Sequence, residues 1–144
     1  MKTLSPLRYP GGKGQMYDEI EYIIRANKLS DKIYVEPFAG GFALGLSLLK
    51  NGIISKAIIN DIDFHIFAFW SVVFNAPEKL ISKIRDVKIN IEEWKQQKYI
   101  YKKLDRRSLV NIAFSTLFLN RTNFSGVIKG GPIGGLSQNG KYKL

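Results

Sequence analysis

The sequence predicts an α/β fold: an open sheet with parallel strands, followed by a mostly helical second unit. Three observations carry this expectation. Two short β-rich runs, Ile33-Tyr34-Val35 and Ala57-Ile58-Ile59, flank a stretch with helical patterning. A glycine pair, Gly40-Gly41, stands where the first strand turns toward that helix. From Phe64 onward helical patterns follow one another, until glycine takes over after Asn120. Strand, helix and strand in that order build a parallel pair with a right-handed crossover. The change of character places a boundary between residues 1–63 and 64–144.

The elements follow in order. A helix is expected over residues 15–28, because Met16, Ile20, Ile23 and Ile24 make one apolar face. Ser30-Asp31 breaks it. The run 33–35 reads as a buried strand and 36–41 as a loop. A helix over 42–49 is closed by the Asn51-Gly52 stop signal. The second strand, 57–59, ends at Asn60-Asp61. Residues 64–74 read as a buried helix with His65 and Trp70 in the core. Pro77 suits the first position of the next helix, with Leu80, Ile81 and Ile84 facing inward. A basic, aromatic helix spans 91–103, and Ser108 caps another that runs through Leu117. Gly126, Gly130, Gly131, Gly134, Gly135 and Gly140 mark a final loop or β-hairpin.

A chain of 144 residues suits one domain or one and a half. Its 45% hydrophobic content is that of a globular protein. The longest apolar run, 62–74, is broken by Asp63, His65 and Ser71, too short and too polar for a membrane span. The first residues lack the apolar segment of a secretory signal. There is no cysteine, so disulfides and thiolate metal sites are excluded, which fits a cytoplasmic location. No metal site is expected. The net charge of +10 favours a polyanionic partner through counterion release; a generally basic surface is the plainer alternative.

Two loops carry chemistry. In Val35-Glu36-Pro37-Phe38-Ala39-Gly40-Gly41 the glycines let a ligand approach the backbone at a strand-to-helix turn. Asp61 stands at the end of the next strand, where an acid can hold ribose hydroxyls. Glu36 would repel a pyrophosphate, which argues against NAD. It would attract a ligand bearing an ammonium and a sulfonium, as S-adenosylmethionine does. A solvated loop residue and a turn former are the plainer readings of Glu36 and Asp61. The other loop is Arg8-Tyr9-Pro10-Gly11-Gly12-Lys13. It is no phosphate loop, since Leu7 replaces the first glycine and Gly14 the magnesium-binding hydroxyl. Tyr9 could stack on such a cofactor, and Lys13 could reach its carboxylate.

Tyr-Pro-Gly-Gly-Lys, Val-Glu-Pro-Phe-Ala-Gly-Gly and Asn-Asp-Ile-Asp, in that order, resemble the Dam-type (D12 class, α-group) adenine-N6 DNA methyltransferases. Phe118-Leu119-Asn120-Arg121-Thr122-Asn123-Phe124-Ser125-Gly126 is similar to that family's entry into its DNA-reading hairpin. The resemblance implies an incomplete Rossmann-like S-adenosylmethionine-dependent methyltransferase sheet in 1–63. It implies a mostly helical DNA target-recognition domain with a β-hairpin in 64–144. The cofactor would be S-adenosylmethionine, held by Tyr9, Gly11, Gly12, Lys13, Glu36, Phe38, Gly40 and Asp61. Double-stranded DNA would meet Asn120, Arg121, Asn123, Phe124, Ser125, Val127 and Lys129. Phe124 would wedge into the base stack beside a flipped base, and Val127 and Lys129 would read base edges. Relatives that read GATC carry arginine where Lys129 stands, and lysine lacks the planar fork, so the resemblance leaves the recognised sequence open. On the helix over 91–103, Lys95, Lys98 and Lys102 share a face, with Tyr99 and Tyr101 interleaved and Arg106 and Arg107 following. That face could grip phosphates, which position without specifying; a merely solvated face is the alternative.

The family's catalytic Asp-Pro-Pro-Tyr motif is absent: no two of Pro6, Pro10, Pro37, Pro77 and Pro132 are adjacent. The α-group order puts it beyond Leu144. The chain therefore reads as a truncation, a proteolytic fragment or a split gene product of bacterial or phage type. It is expected to be inactive alone, to bind the cofactor weakly, and to self-associate through exposed sheet edges. A companion restriction endonuclease is an implied partner. A non-catalytic DNA-binding or regulatory module is the alternative, and an NAD-dependent protein a distant third.

Overall fold

The computed structural model describes residues 4–9 and 11–144. The chain divides into two compact units, the first ending at Ile62 and the second starting at Asp63.

In the first unit a 3-10 turn, Lys13–Met16, leads into α1, Tyr17–Ala26. Asp18 and Glu19 in the first turn and Arg25 in the last match the helix dipole. The inward face is Tyr17, Ile20 and Ile24, while Met16 and Ile23 are exposed, contrary to the sequence expectation. The tighter 3-10 winding rotates Met16 off the α-helical register, so the apolar stripe starts one residue later. Strands β1, Tyr34–Glu36, and β2, Ala57–Ile59, pair in parallel with Tyr34 opposite Ala57 and Glu36 opposite Ile59. Between them runs α2, Ala43–Lys50. Its C-terminal turn is completed by Gly52 at φ +66°, as the Asn51-Gly52 signal required. Tyr17, Ile24, Leu44, Leu48, Ile53 and Ile54 form the core, with Tyr34 and Ala57 packed on it.

Alternation then sends Val35 and Ile58 to the opposite face of the pair. They are 57% and 53% exposed, so the pair is covered on one side only, and the run 33–35 is not the buried strand expected. Both α1 and α2 pack on the side of Tyr34 and Ala57.

The second unit opens with α3, Phe64–Asn75, capped by Asp63, whose carboxylate accepts from the His65 backbone N–H. Helix α4, Pro77–Asp86, has its proline in the first turn. Leu80 is buried, but Ile81 and Ile84 are each 45% exposed, so α4 presents a narrower apolar face than its pattern suggests. Helix α5, Ile91–Lys103, is capped by Asn90, which accepts from the Glu93 N–H at 2.8 Å. Helix α6, Leu109–Thr122, packs against α3, α4 and α5. It passes five residues beyond Leu117, because Phe118 and Leu119 continue the buried face. Ser108 holds the N-cap position without a side-chain capping bond.

No β-hairpin follows among the described residues. A 3-10 turn, Phe124–Gly126, and one antiparallel bridge, Asn123 with Pro132, take its place. The loop carbonyls that could pair across a ladder bond to side chains instead, as described below. No described helix is long and apolar enough to cross a membrane.

Candidate functional site

Glu36 is the last residue of β1 and only 2% exposed. Tyr34, two residues back and therefore on the same face, donates its hydroxyl to Glu36 Oε2 at 3.0 Å. Lys13 reaches across from the first loop. Its Nζ lies 2.9 Å from Glu36 Oε1 and donates to the Phe38 carbonyl at 2.6 Å. The contact with Oε1 is an ion pair by proximity, not an aligned hydrogen bond, so this buried oxygen keeps acceptor capacity.

Burial, then the charge and hydrogen bond of Glu36, push the Tyr34 phenol well above its ordinary value of 10.0. A folded-state value above the unfolded one contributes stability that is whole below pH 10.0 and drains away as pH rises further. Alkaline titration of unfolding should show this loss above pH 10.0, and Tyr34→Phe should flatten it. An unchanged slope in the variant would assign the loss elsewhere.

The second loop is zipped to the end of β2. Asn60 N–H donates to the Glu36 carbonyl at 3.1 Å, and Ala39 N–H donates to the Asn60 carbonyl at 2.9 Å. Gly40 N–H then donates to Asp61 Oδ2 at 2.8 Å. Gly40 sits at φ +49°, and a Cβ there would lie 2.9 Å from Tyr9 Cε1. A Cβ on Gly41 would lie 3.0 Å from Tyr9 Cβ. The glycine pair is thus a bed for the Tyr9 side chain. Gly40→Ala should cost about 2 kcal/mol from left-handed backbone strain and should lift Tyr9, read as loss of its ring-current shifts in the NMR spectrum. Retained shifts at wild-type stability would show that the bed tolerates a methyl.

The first loop turns at Gly11, φ +71°, with Gly12 N–H donating to the Tyr9 carbonyl at 3.2 Å. Beside it opens a cavity of about 790 Å³ lined by Tyr9, Gly11, Gly12, Lys13, Gly41 and Ser47, among others. Glu36, Phe38 and Asp61 are not in its wall. Tyr9 and Lys13 belong to both groups: they line the cavity and touch the second loop. The eight residues expected at the cofactor thus lie on two loops and a strand end that touch through Tyr9 and Lys13, but only half of them line the cavity. Sequence reasoning missed Tyr34 as the partner of Glu36. The signal was its position two residues earlier on a strand.

In the second unit the expected DNA residues separate into two sets. Arg121, Phe124, Ser125, Val127 and Lys129 are exposed, Phe124 at 73%. Ser125 adopts φ 54° to turn the chain there. Asn120 and Asn123, expected beside them, are 1% and 0% exposed, so their side chains face the interior of the unit. Asn120 Nδ2 donates to the Gly126 carbonyl at 3.0 Å. Asn123 Oδ1 accepts from Trp94 Nε1 at 2.6 Å, and its Nδ2 faces the carbonyls of Val127, Ile128 and Gly130 at 2.9, 2.9 and 3.3 Å. Both amides bond to carbonyls of the segment that follows α6.

The basic helix is also less open than its sequence suggests. Lys95 and Lys102 are exposed. Lys98 Nζ instead donates to the carbonyls of Ile128 and Gly130 at 3.1 and 3.0 Å. Tyr101 is buried, its ring stacked on His65 at 3.7 Å between centroids. Arg106 lies 4.6 Å over the Phe64 ring. Arg107 pairs with both carboxylate oxygens of Asp105 at 3.0 Å, which holds the Asp105 carboxyl down to about 2.

A parallel strand pair whose first loop is glycine-rich, with an acid at the end of the second strand, is the layout of an α/β cofactor-binding sheet. Over residues 9–143 the chain matches the model of the D12 class N6 adenine-specific DNA methyltransferases, and it belongs to that family. It is also 31% identical over 136 residues to the Type II methyltransferase M.MjaIII of Methanocaldococcus jannaschii, covering 85% of this chain. The chain spans 47% of that relative's length.

Proposed function

We propose that this chain supplies the cofactor loops and the target-recognition unit of a site-specific adenine-N6 methyltransferase acting on duplex DNA. The observation that carries the reading is the linked set Tyr9, Lys13, Glu36, Gly40 and Asp61 at the C-terminal ends of two parallel strands. Its chemistry fits S-adenosylmethionine, which supplies the methyl group when bound. Glu36 offers a buried acceptor oxygen to a cationic ligand, Asp61 an acid suited to ribose hydroxyls, and Tyr9 an aromatic surface. The neighbouring cavity falls within the ordinary size range of small-molecule sites. Lys13 in this conformation neutralises Glu36, so binding the cofactor asks Lys13 to move toward the ligand's carboxylate.

The residues that would orient the adenine are not among these 144, so methyl transfer by this chain alone is not expected. Calorimetry with S-adenosylmethionine should give an affinity weaker than about 1 μM, lost in Asp61→Ala. Sub-micromolar binding, or methylation of duplex DNA by the chain alone, would overturn the reading. A non-catalytic DNA-binding module is a second reading, favoured by the exposed Phe124, Val127 and Lys129 on a loop braced from within. Salt-dependent duplex binding without any cofactor response would select it.

A further inference from the structure

We infer that Lys98 is a specificity-positioning residue: with Trp94 and Asn123 it sets the shape in which loop 127–130 meets duplex DNA. The inference rests on the proposed recognition role of the second unit. Trp94 and Lys98 are four apart on α5 and so share a face. Lys98 Nζ lies 5.5 Å over the Trp94 ring, and Trp94 Nε1 donates to Asn123. Two cationic and amide donor groups, Lys98 Nζ and Asn123 Nδ2, thus converge on the carbonyls of Ile128 and Gly130.

This arrangement has a geometric consequence. The loop's carbonyls turn inward, while Val127 is 48% exposed and Lys129 is exposed as well. Gly130 N–H closes the turn on the Val127 carbonyl at 2.8 Å. A Cβ on Gly130 would lie 2.9 Å from that same oxygen, so the turn leaves no room for a side chain. The loop base is tied by Phe124 N–H donating to the Gly131 carbonyl at 3.1 Å. A loop ordered before binding does not lose that freedom on binding, and its side chains are presented in one geometry. Partial burial, then the neighbouring charge of Lys102, pulls the Lys98 amine below its ordinary value, and its Nζ is spent on two loop carbonyls. Lys98 therefore acts through the loop and not by gripping a phosphate.

The test uses the whole chain and a pool of duplex oligonucleotides with a randomised core. Wild type should enrich a preferred sequence. Lys98→Met should lower discrimination between that sequence and a scrambled duplex by about 10-fold, the scale of one well-placed base contact, with non-specific affinity changed less than about 2-fold and the salt slope unchanged. It should also speed hydrogen exchange at the Gly130 amide. Trp94→Phe, which keeps an aromatic ring but loses the N–H and part of the indole's bulk, should act in the same direction. Equal loss on both duplexes with a salt slope reduced by about 1 would make Lys98 a phosphate contact and overturn the inference. Unchanged discrimination, or unchanged exchange at Gly130, would overturn it too. Absence of any preferred sequence in wild type would sink the recognition reading and this role with it, whereas Gly130 exchange reports the bracing separately.

Discussion

Asn123→Leu should destabilise the second unit by about 3 kcal/mol: it leaves the buried Trp94 N–H without an acceptor, at about 1–3 kcal/mol, and takes one of two donors from each of three loop carbonyls, at about 0.5–1.5 kcal/mol per lost bond. Leucine has as many side-chain heavy atoms as asparagine and branches at the same carbon, so a cavity is not the cause. The Trp94 N–H loses its acceptor, and the carbonyls of Val127, Ile128 and Gly130 lose a donor. Each of those carbonyls keeps one donor, Lys98 for Ile128 and Gly130 and the Gly130 N–H for Val127, which bounds the damage. Asn123→Asp separates size from donation. It keeps an acceptor for Trp94 but turns a negative oxygen toward three carbonyls, so it should be at least as harmful. Urea unfolding followed by tryptophan fluorescence checks both, because the two tryptophans, Trp70 and Trp94, lie in the second unit. A loss under about 1 kcal/mol for both variants would mean that the loop carbonyls find water without cost.

Lys13→Met should have the next largest effect, about 2 kcal/mol on the first unit. Removing one partner of a buried pair costs about 3–5 kcal/mol when the remaining charge stays buried. Glu36 fits that case, with its side chain 3% exposed, but the Lys13 side chain is 39% exposed, so solvent screening reduces the figure. The control is a double-mutant cycle with Glu36→Gln. Once the carboxylate is an amide, losing Lys13 should cost little, because no buried charge is left behind. Hydrogen exchange at the Tyr34 and Asn60 amides reads the result, since these bond to Lys56 and Glu36 across the strand pair. Additive effects in the cycle would show that Lys13 and Glu36 do not stabilise each other.

The element order was legible because periodicity is a local property. Residues 57–59 and 91–103 match the observed strand and helix, and the Asn51-Gly52 stop falls where α2 ends. The departures also have local causes. Met16 left the helical face because the chain enters α1 through a 3-10 turn. The hairpin did not form because a buried amide takes the carbonyls that a ladder would have used. The first site was legible as a set of residues, since Tyr9, Lys13, Glu36, Gly40 and Asp61 do meet. Their mutual bonding was not: Lys13 closes on Glu36, and Asp61 holds a backbone N–H. On the second unit, residue type did not distinguish Asn123 from Lys129.

What the sequence by itself determined is the family, the succession of strands and helices, and the chemistry available at the two glycine loops. Those follow from residue types and spacings along the chain. Only the tertiary structure decided which polar groups face inward. Asn123, Lys98 and Glu36 are hydrophilic, and their types alone would put them in water. Each is buried or half-buried because a partner from a distant segment replaces the water it gives up: Trp94 for Asn123, the carbonyls of Ile128 and Gly130 for Lys98, and Lys13 for Glu36.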